Sequence, residues 1–386
     1  MEAGDGADNI ISALGYRDRV SHIFLTNLPL LVLDRLVAAM QESFPALTRL
    51  EIQPMNDESP LVLQDSFLGG SAPRLRSLRL CGVRFSALPK LLLSANELIN
   101  LQLLTIPDSG YISPEAMVTF LASLTRLEYL HLGFDPAATG RRPPIRRPPP
   151  TRVDLPSLTR LWFSGNSDYL DQFVARINAP LLYVFEMVFF NQTDFNVLQL
   201  TEFIDRVERF KVLDRAEVFF ENRMVVVTLS SQKETLAVDC PFLAVRSACG
   251  PSEWQFLHLA QVHNSFTTLL SSLERLDIIS YLDSPLILED EDEVEDVEWL
   301  QLLFPFPAVK DLYLSGVPGI NVARALQELA EERVMVVLPA LQRIFLEGLP
   351  PSVDMWEAIK PFTVARLLSG YPVTVDCWEE GAEAED

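Results

Sequence analysis

A short phrase recurs along the 386-residue chain and limits what it can fold into: an apolar residue, two variable positions, an apolar residue, one variable position and another apolar residue. A proline often precedes it. It reads Phe44-Pro45-Ala46-Leu47-Thr48-Arg49-Leu50-Glu51-Ile52 and again Ala72-Pro73-Arg74-Leu75-Arg76-Ser77-Leu78-Arg79-Leu80. Further copies are Leu101/Leu104/Ile106, Leu127/Leu130/Leu132, Leu158/Leu161/Phe163, Leu182/Phe185/Met187, Leu273/Leu276/Ile278, Val309/Leu312/Leu314 and Leu341/Ile344/Leu346. Val20/Ile23/Leu25 and Leu213/Ala216/Val218 are looser copies. The first apolar positions fall at residues 20, 47, 75, 101, 127, 158, 182, 213, 273, 309 and 341, so every gap but one lies between 24 and 36 residues. A single unit of this kind cannot bury its apolar face, whereas stacked units share one continuous core.

That period and that phrase are those of leucine-rich repeats, one strand and one helix per unit. The fold class expected is therefore α/β, a leucine-rich-repeat solenoid or horseshoe, with a parallel sheet on its concave face and helices on its convex face. The helical halves show apolar residues three and four apart: Leu28 to Met40 with Pro29 in the first turn, Pro114 to Leu124 behind a capping Ser113, and Val322 to Leu329 behind a capping Asn321. Residues 14–378 are expected to form a single solenoid, with residues 1–13 resembling the end of an earlier repeat helix. The one long gap holds Met224-Val225-Val226-Val227-Thr228-Leu229 and Thr235-Leu236-Ala237-Val238, read as an irregular or antiparallel insert over about residues 219–265, with a helix from Trp254 towards Phe266. Residues 135–153, which include Arg141-Arg142-Pro143-Pro144-Ile145-Arg146-Arg147, and residues 284–298 read as mobile loops, and the acidic residues 379–386 as a frayed tail.

Charge excludes two classes of partner. The chain carries 31 basic against 53 acidic residues, a formal net of −22, which repels phosphate backbones and anionic lipid heads. Neither a nucleic-acid nor a membrane role is expected. Residues 1–20 include six charged side chains and no apolar run, and no later stretch reaches 18 uninterrupted apolar residues. Four cysteines (Cys81, Cys240, Cys249, Cys377) do not make a disulfide framework. The reading is an intracellular protein, cytoplasmic or nuclear, and not secreted.

Along each strand the apolar side chains turn to the core and the variable ones to the opposite face. The position between the last two apolar residues supplies Phe24, Glu51, Arg79, His131, Trp162, Glu186, Asp277, Tyr313 and Phe345, with Thr105 in the fourth unit. The position before the second apolar residue supplies Arg49, Tyr129, Arg160, Arg275 and Arg343, with Leu103 in the fourth unit. Aromatic and arginine side chains dominate the energetics of protein interfaces. This face is the candidate partner surface; the competing reading is an ordinary solvated strand face, with the partner on an edge or loop.

No catalytic constellation emerges. The histidines are His22, His131, His258 and His263, and the last two have four residues between them on a predicted helix, out of phase for one metal. Cys240 and Cys249 are badly spaced for zinc. No phosphate loop, dinucleotide-binding glycine pattern or nucleophile elbow is present. Eight acids crowd residues 289–298 without the alternating spacing and central glycine of a calcium loop. No enzyme activity, cofactor or metal is expected.

The Pro-x-Leu-x-x-Leu-x-Leu phrases resemble the repeat region of fungal F-box/leucine-rich-repeat proteins. So do Leu124-Thr125-Arg126-Leu127-Glu128-Tyr129-Leu130-His131-Leu132, Leu269 to Ile278 and Phe304-Pro305-Phe306-Pro307-Ala308-Val309-Lys310-Asp311-Leu312-Tyr313-Leu314. The resemblance implies the target-recognition part of a cullin–RING ubiquitin-ligase receptor, whose repeats hold a protein substrate while an F-box docks the ligase adaptor. No F-box is found in this sequence. Leu28-Pro29 lies between two repeat strands, and the first tryptophan is Trp162. An adaptor is therefore expected as partner only if an F-box lies upstream, and the alternative is a free-standing repeat scaffold.

Overall fold

Each of the eleven copies of the phrase forms a strand in the computed structural model. The structure describes residues 3–55, 60–64, 66–85, 88–136, 151–190, 197–221, 224–231, 240–248, 252–279, 296–329, 334–348 and 353–378. The chain is mixed α/β, with a large, mostly parallel sheet of 14 strands accompanied by helices. Two compact units divide it: residues 1–185 with 196–209, and residues 186–195 with 210–386.

The first unit opens with α1 (Ala3–Leu14), β1 (His22–Leu28), α2 (Leu30–Ala39), β2 (Arg49–Pro54) and β3 (Leu61–Leu63). It continues through β4 (Ser77–Cys81), β5 (Val83–Phe85), α3 (Leu88–Ser94), β6 (Asn100–Ile106), α4 (Pro114–Leu121) and β7 (Tyr129–Phe134). Then come β8 (Val153–Asp154), β9 (Arg160–Gly165), α5 (Ser167–Val174) and β10 (Ile177–Asn178). Strand β11 (Val184–Phe190) begins in this unit, and α6 (Leu198–Arg206) belongs to it.

The order β1-β2-β4-β6-β7-β9 is parallel throughout. One backbone device repeats at each strand entry. Thr48 N–H donates to Ser21 O, Arg76 N–H to Thr48 O, Ile99 N–H to Arg76 O, Glu128 N–H to Ile99 O and Thr159 N–H to Glu128 O. The ladder aligns the apolar positions into layers. Leu47, Leu75, Leu127 and Leu158 form one, and Leu50, Leu78, Leu101, Leu130 and Leu161 the next, each at most 1% exposed. Burying a side chain of this size stabilises by about 1.5–3 kcal/mol.

The fourth unit is phased differently from the expectation. Arg79 pairs with Gln102 and Gln102 with His131, so the buried triplet is Leu98/Leu101/Leu103. The cause is a bulge. Pairing shifts between Leu103 and Ile106, where Thr105 takes φ 48°, and Ile106 is buried again beyond it. Leu104 and Ile106 thereby imitate a second repeat phrase. Leu103, expected on the open face, is in the core, and Thr105 is not in the outward row.

The helices follow their local signals. Ser113 Oγ accepts from Ala116 N–H at 3.3 Å at the start of α4, and Asn166 Oδ1 accepts from Asp168 N–H at 2.8 Å at the start of α5. Pro29 is the N-cap of α2. Two short parallel pairs, β3 with β5 and β8 with β10, were not anticipated. The second pins Val153, at the end of the expected loop 135–153, to Ile177; residues 137–150 of that loop lie outside the described residues.

The second unit contains β12 (Arg215–Glu221), β13 (Met224–Ser230), β14 (Phe242–Ala248), α7 (Ser252–Ser265), α8 (Thr267–Leu270) and β15 (Arg275–Ile279). It continues with α9 (Asp296–Leu303), β16 (Asp311–Leu314), α10 (Gly316–Glu328), β17 (Arg343–Glu347), α11 (Val353–Leu368) and β18 (Thr374–Trp378). The long gap between repeats is filled by an antiparallel excursion. Strand β12 pairs antiparallel with β13, and β13 with β14, before the parallel run β12-β15-β16-β17-β18 resumes. The antiparallel partner is Phe242–Ala248; the expected run at residues 235–238 lies outside the described residues.

Helix α10 starts at Gly316, five residues before Asn321, so Asn321 is interior and not a cap. Pro318, in its first turn, suits an unpaired N–H position. Helix α9 takes in the last residues of the expected loop 284–298, the remainder of which lies outside the described residues, as does the tail 379–386. Among the described residues no helix is long and apolar enough to cross a membrane.

The register shift in β6 has a direct consequence. Leu103→Ala should cost about 2–5 kcal/mol by urea denaturation, as a buried truncation does, whereas Leu104→Ala, only half-buried, should cost about 1 kcal/mol or less. Equal losses would contradict the observed phase.

Candidate functional site

The outward positions of the first unit form two rows across adjacent strands. One runs His22, Arg49, Ser77, Asn100, Tyr129, Arg160, and the other Phe24, Glu51, Arg79, Gln102, His131, Trp162. Their spacing is the strand spacing of about 4.8 Å, close enough for long side chains to meet along a row and across the two rows. Arg49 lies over the Phe24 ring at 5.1 Å, and His22 stacks on Phe24 with centroids 6.4 Å apart. Arg79 meets Glu51 at 3.4 Å and donates to Gln102 Oε1 at 3.3 Å; Gln102 in turn donates to Asn100 Oδ1 at 3.0 Å. Trp162 packs against His131 at 5.5 Å and Tyr129 at 6.2 Å.

Two residues outside the rows complete this face. Arg160 Nε donates to Tyr183 Oη at 3.1 Å, and the guanidinium of Arg209 lies 5.6 Å from the same ring. Sequence reading missed both. Tyr183 takes the first variable position of its phrase, directly after the buried Leu182, which is not one of the two outward positions read from the alternation, and Arg209 follows α6, outside the phrase. His131 is held neutral: burial, followed by the charge of Arg79, lowers its pKa to about 4.

The second unit carries a denser set. The outward row of β12, β15, β16, β17 and β18 is Glu217, Asp277, Tyr313, Phe345, Asp376, beside Arg215, Arg275, Asp311, Arg343, Thr374. Tyr313 and Phe345 stack face to face with centroids 4.2 Å apart at 11°, and Trp378 meets Tyr313 edge-on at 5.5 Å. The Arg275 guanidinium lies 3.7 Å from the centre of the Tyr313 ring. Arg343 grips Asp311 with two hydrogen bonds of 2.6 Å, which raises the arginine pKa, and lies 5.4 Å from the Phe345 ring. Glu186 pairs with Arg246 of β14 at 3.4 Å; burial raises its pKa and Arg246 offsets part of the rise.

Arg275 and Asp277 depart from expectation. Both were placed on the open face, and they are 3% and 2% exposed. Arg275 Nε donates to Asp277 Oδ1 at 2.8 Å, and Arg215 pairs with the same carboxylate. Stacked on Tyr313 and closed over by its own ion pairs, Arg275 is part of the packing and not a free contact. Phe24, Arg49, Arg160 and Arg343 are exposed, whereas Glu51, Arg79, Tyr129, His131, Trp162, Glu186, Tyr313 and Phe345 are half-buried.

Among the described residues, no three His, Cys, Asp or Glu side chains are grouped to hold a metal ion. His263 is buried in α7 against Phe306, where burial lowers its pKa to about 4; the side chain of His258 and Cys249 lie outside the described residues. The two faces offer stacked rings and guanidinium groups over a packed ladder, chemistry suited to contact with another molecule. Compared with known proteins, the chain matches no family model and no curated sequence.

Asp277→Asn should destabilise the protein by about 3–5 kcal/mol in urea, because the buried Arg275 loses its anion and Arg215 keeps only the more distant Glu217, at 3.8 Å. Replacing the pair with Arg275→Met and Asp277→Leu should cost distinctly less than Asp277→Asn alone. A second expectation concerns acid. A histidine whose folded pKa of about 4 lies below its unfolded value of about 6.5 favours folding above pH 6.5, and that contribution is lost as pH falls towards 4. Between pH 7 and pH 5 the loss should be about 1–2 kcal/mol for His131, and His131→Gln should flatten the pH dependence by that amount. An unchanged slope would show that the histidine is not buried as described.

Proposed function

We propose that this chain is a non-enzymatic protein-binding module, a leucine-rich-repeat horseshoe whose concave sheet face holds a protein partner. The observation that carries the reading is the continuity of the outward rows in each unit. Rings and arginines share these rows, Phe24 and Arg49 at one end and Trp162 and Arg160 at the other with the polar Glu51, Ser77, Asn100 and Gln102 between, and again at Tyr313, Phe345 and Arg343. These are the residue types that anchor interfaces, and rigid strands hold them at fixed spacing.

The likeness of the repeats to those of F-box receptors supports a role in selecting substrates for a ubiquitin ligase. A second reading, a scaffold with no ligase link, is favoured by the placement of Leu28 and Pro29. Leu28 ends β1 and Pro29 caps α2, so this dipeptide belongs to a repeat and not to a separate docking helix.

Affinity capture with the full-length transcript product, read by mass spectrometry, tests both. Trp162→Ala and Tyr313→Ala should each reduce retention of the true partner by more than about 1 kcal/mol, fivefold or more in Kd. Normal retention by both variants would remove the sheet face as the partner surface. Recovery of a cullin and its adaptor would favour the ligase reading, and recovery of other proteins without any ligase subunit would favour the scaffold.

A further inference from the structure

The chain as a whole carries a net charge of −22, yet the outward rows of the first unit are basic. Across β1, β2, β4, β6, β7 and β9 the two rows present Arg49, Arg79 and Arg160 against a single carboxylate, Glu51. That carboxylate is engaged by Arg79 at 3.4 Å. Arg49 and Arg160 are exposed and, among the described residues, neither has a carboxylate within ion-pair distance. Arg209, also exposed and likewise unpaired, adds a third cation beside Tyr183. A guanidinium without a carboxylate of its own is a ready bidentate partner for one, and these stay unpaired in a chain with an excess of acids.

The rings lie beside these cations. Arg49 covers Phe24, which is 51% exposed, and Arg160 stands next to Tyr129 in the same row, with Trp162 two residues further along its own strand. The Trp162 ring packs on His131 and Tyr129, and its indole N–H is buried without a hydrogen-bond acceptor among the described residues. Four strand steps separate Arg49 from Arg160, about 19 Å, which an extended peptide spans with about six residues.

We propose that the first unit's sheet face binds an extended acidic protein segment, with carboxylates about six residues apart meeting Arg49 and Arg160 and an apolar or aromatic side chain packing on Phe24 or Trp162. The inference rests on the protein-binding reading above and adds the chemical class of the partner. A protein segment is favoured over nucleic acid because the remainder of the chain repels a long polyanion, whereas a short segment with two or three carboxylates meets only the local field.

The test is selection of a random twelve-residue displayed-peptide library on the full chain, repeated on an Arg49→Glu/Arg160→Glu variant whose thermal melting matches the parent. Selected peptides should be enriched at least threefold in Asp and Glu over the input library. A synthetic copy of the best peptide should bind at least tenfold more weakly when its acids are changed to Gln, and should bind the variant at least tenfold more weakly. No acidic enrichment, or enrichment that survives in the variant, overturns the proposal. So does single-stranded oligothymidylate that competes better than the acidic peptide. The two readings fail separately. If Trp162→Ala abolishes partner capture but no acidic preference exists, the binding face stands and the acidic class falls; if capture is unaffected by Trp162→Ala, the face and this inference fall together.

Discussion

Everything in this structure depends on the parallel backbone ladder and the apolar layers that it aligns. In the parallel runs each entry donates a backbone N–H to the carbonyl at the entry of the strand beside it, and the same bond recurs from Thr48 to Thr159 in the first unit and from Glu274 to Thr374 in the second. With that bond fixed, leucine follows leucine into one layer, and a one-residue slip would turn a whole strand's core to solvent. The register is therefore over-determined wherever the phrase is intact. Among the described residues it relaxes at the bulge in β6, beyond the phrase in β1, where pairing with β2 shifts between Thr26 and Leu28, and in the antiparallel excursion of β13 and β14.

The outward rows follow from the same register. Because the ladder forces positions from different units into line, residues far apart in sequence meet: Phe24 with Arg49, His131 with Trp162, Tyr313 with Phe345 and Trp378. The two units use the rows differently. In the second, Arg275 and Arg215 are balanced by Asp277 and Glu217, with Arg275 and Asp277 packed away, and Arg343 is clamped by Asp311. In the first, Arg49 and Arg160 are left to solvent beside rings. That contrast distinguishes a face that is internally satisfied from one with unmet electrostatic demand.

Much of the architecture was legible in the sequence because the signal is periodic and each unit repeats the test. All eleven phrases form strands, and Ser113 caps its helix as its position before Pro114 implied. What the sequence hid had physical causes. The bulge at Leu104 and Thr105 supplied a false leucine triplet, so Gln102 was overlooked in favour of Thr105. Strand β18 was missed because its phrase positions are Pro372, Val375 and Cys377, without a leucine among them, its alignment coming from backbone pairing with β17. The burial of Arg275 and Asp277 could not be read from alternation, since alternation gives the side of the sheet and not what neighbouring side chains cover. Tyr183 occupies a variable position that the alternation does not assign to the outward rows, Arg209 falls outside the phrase, and only packing brings them to Arg160.

The central claim is that the ladder places Arg79 beside Gln102 and so sets the outward rows. Directly paired positions on neighbouring strands stand about 4.8 Å apart, within disulfide reach. In a Cys81→Ser background, Arg79→Cys with Gln102→Cys should close a disulfide on mild oxidation in the folded protein, and Arg79→Cys with Thr105→Cys should not. A bond in the second pair, with none in the first, would contradict the register and dissolve the rows that depend on it.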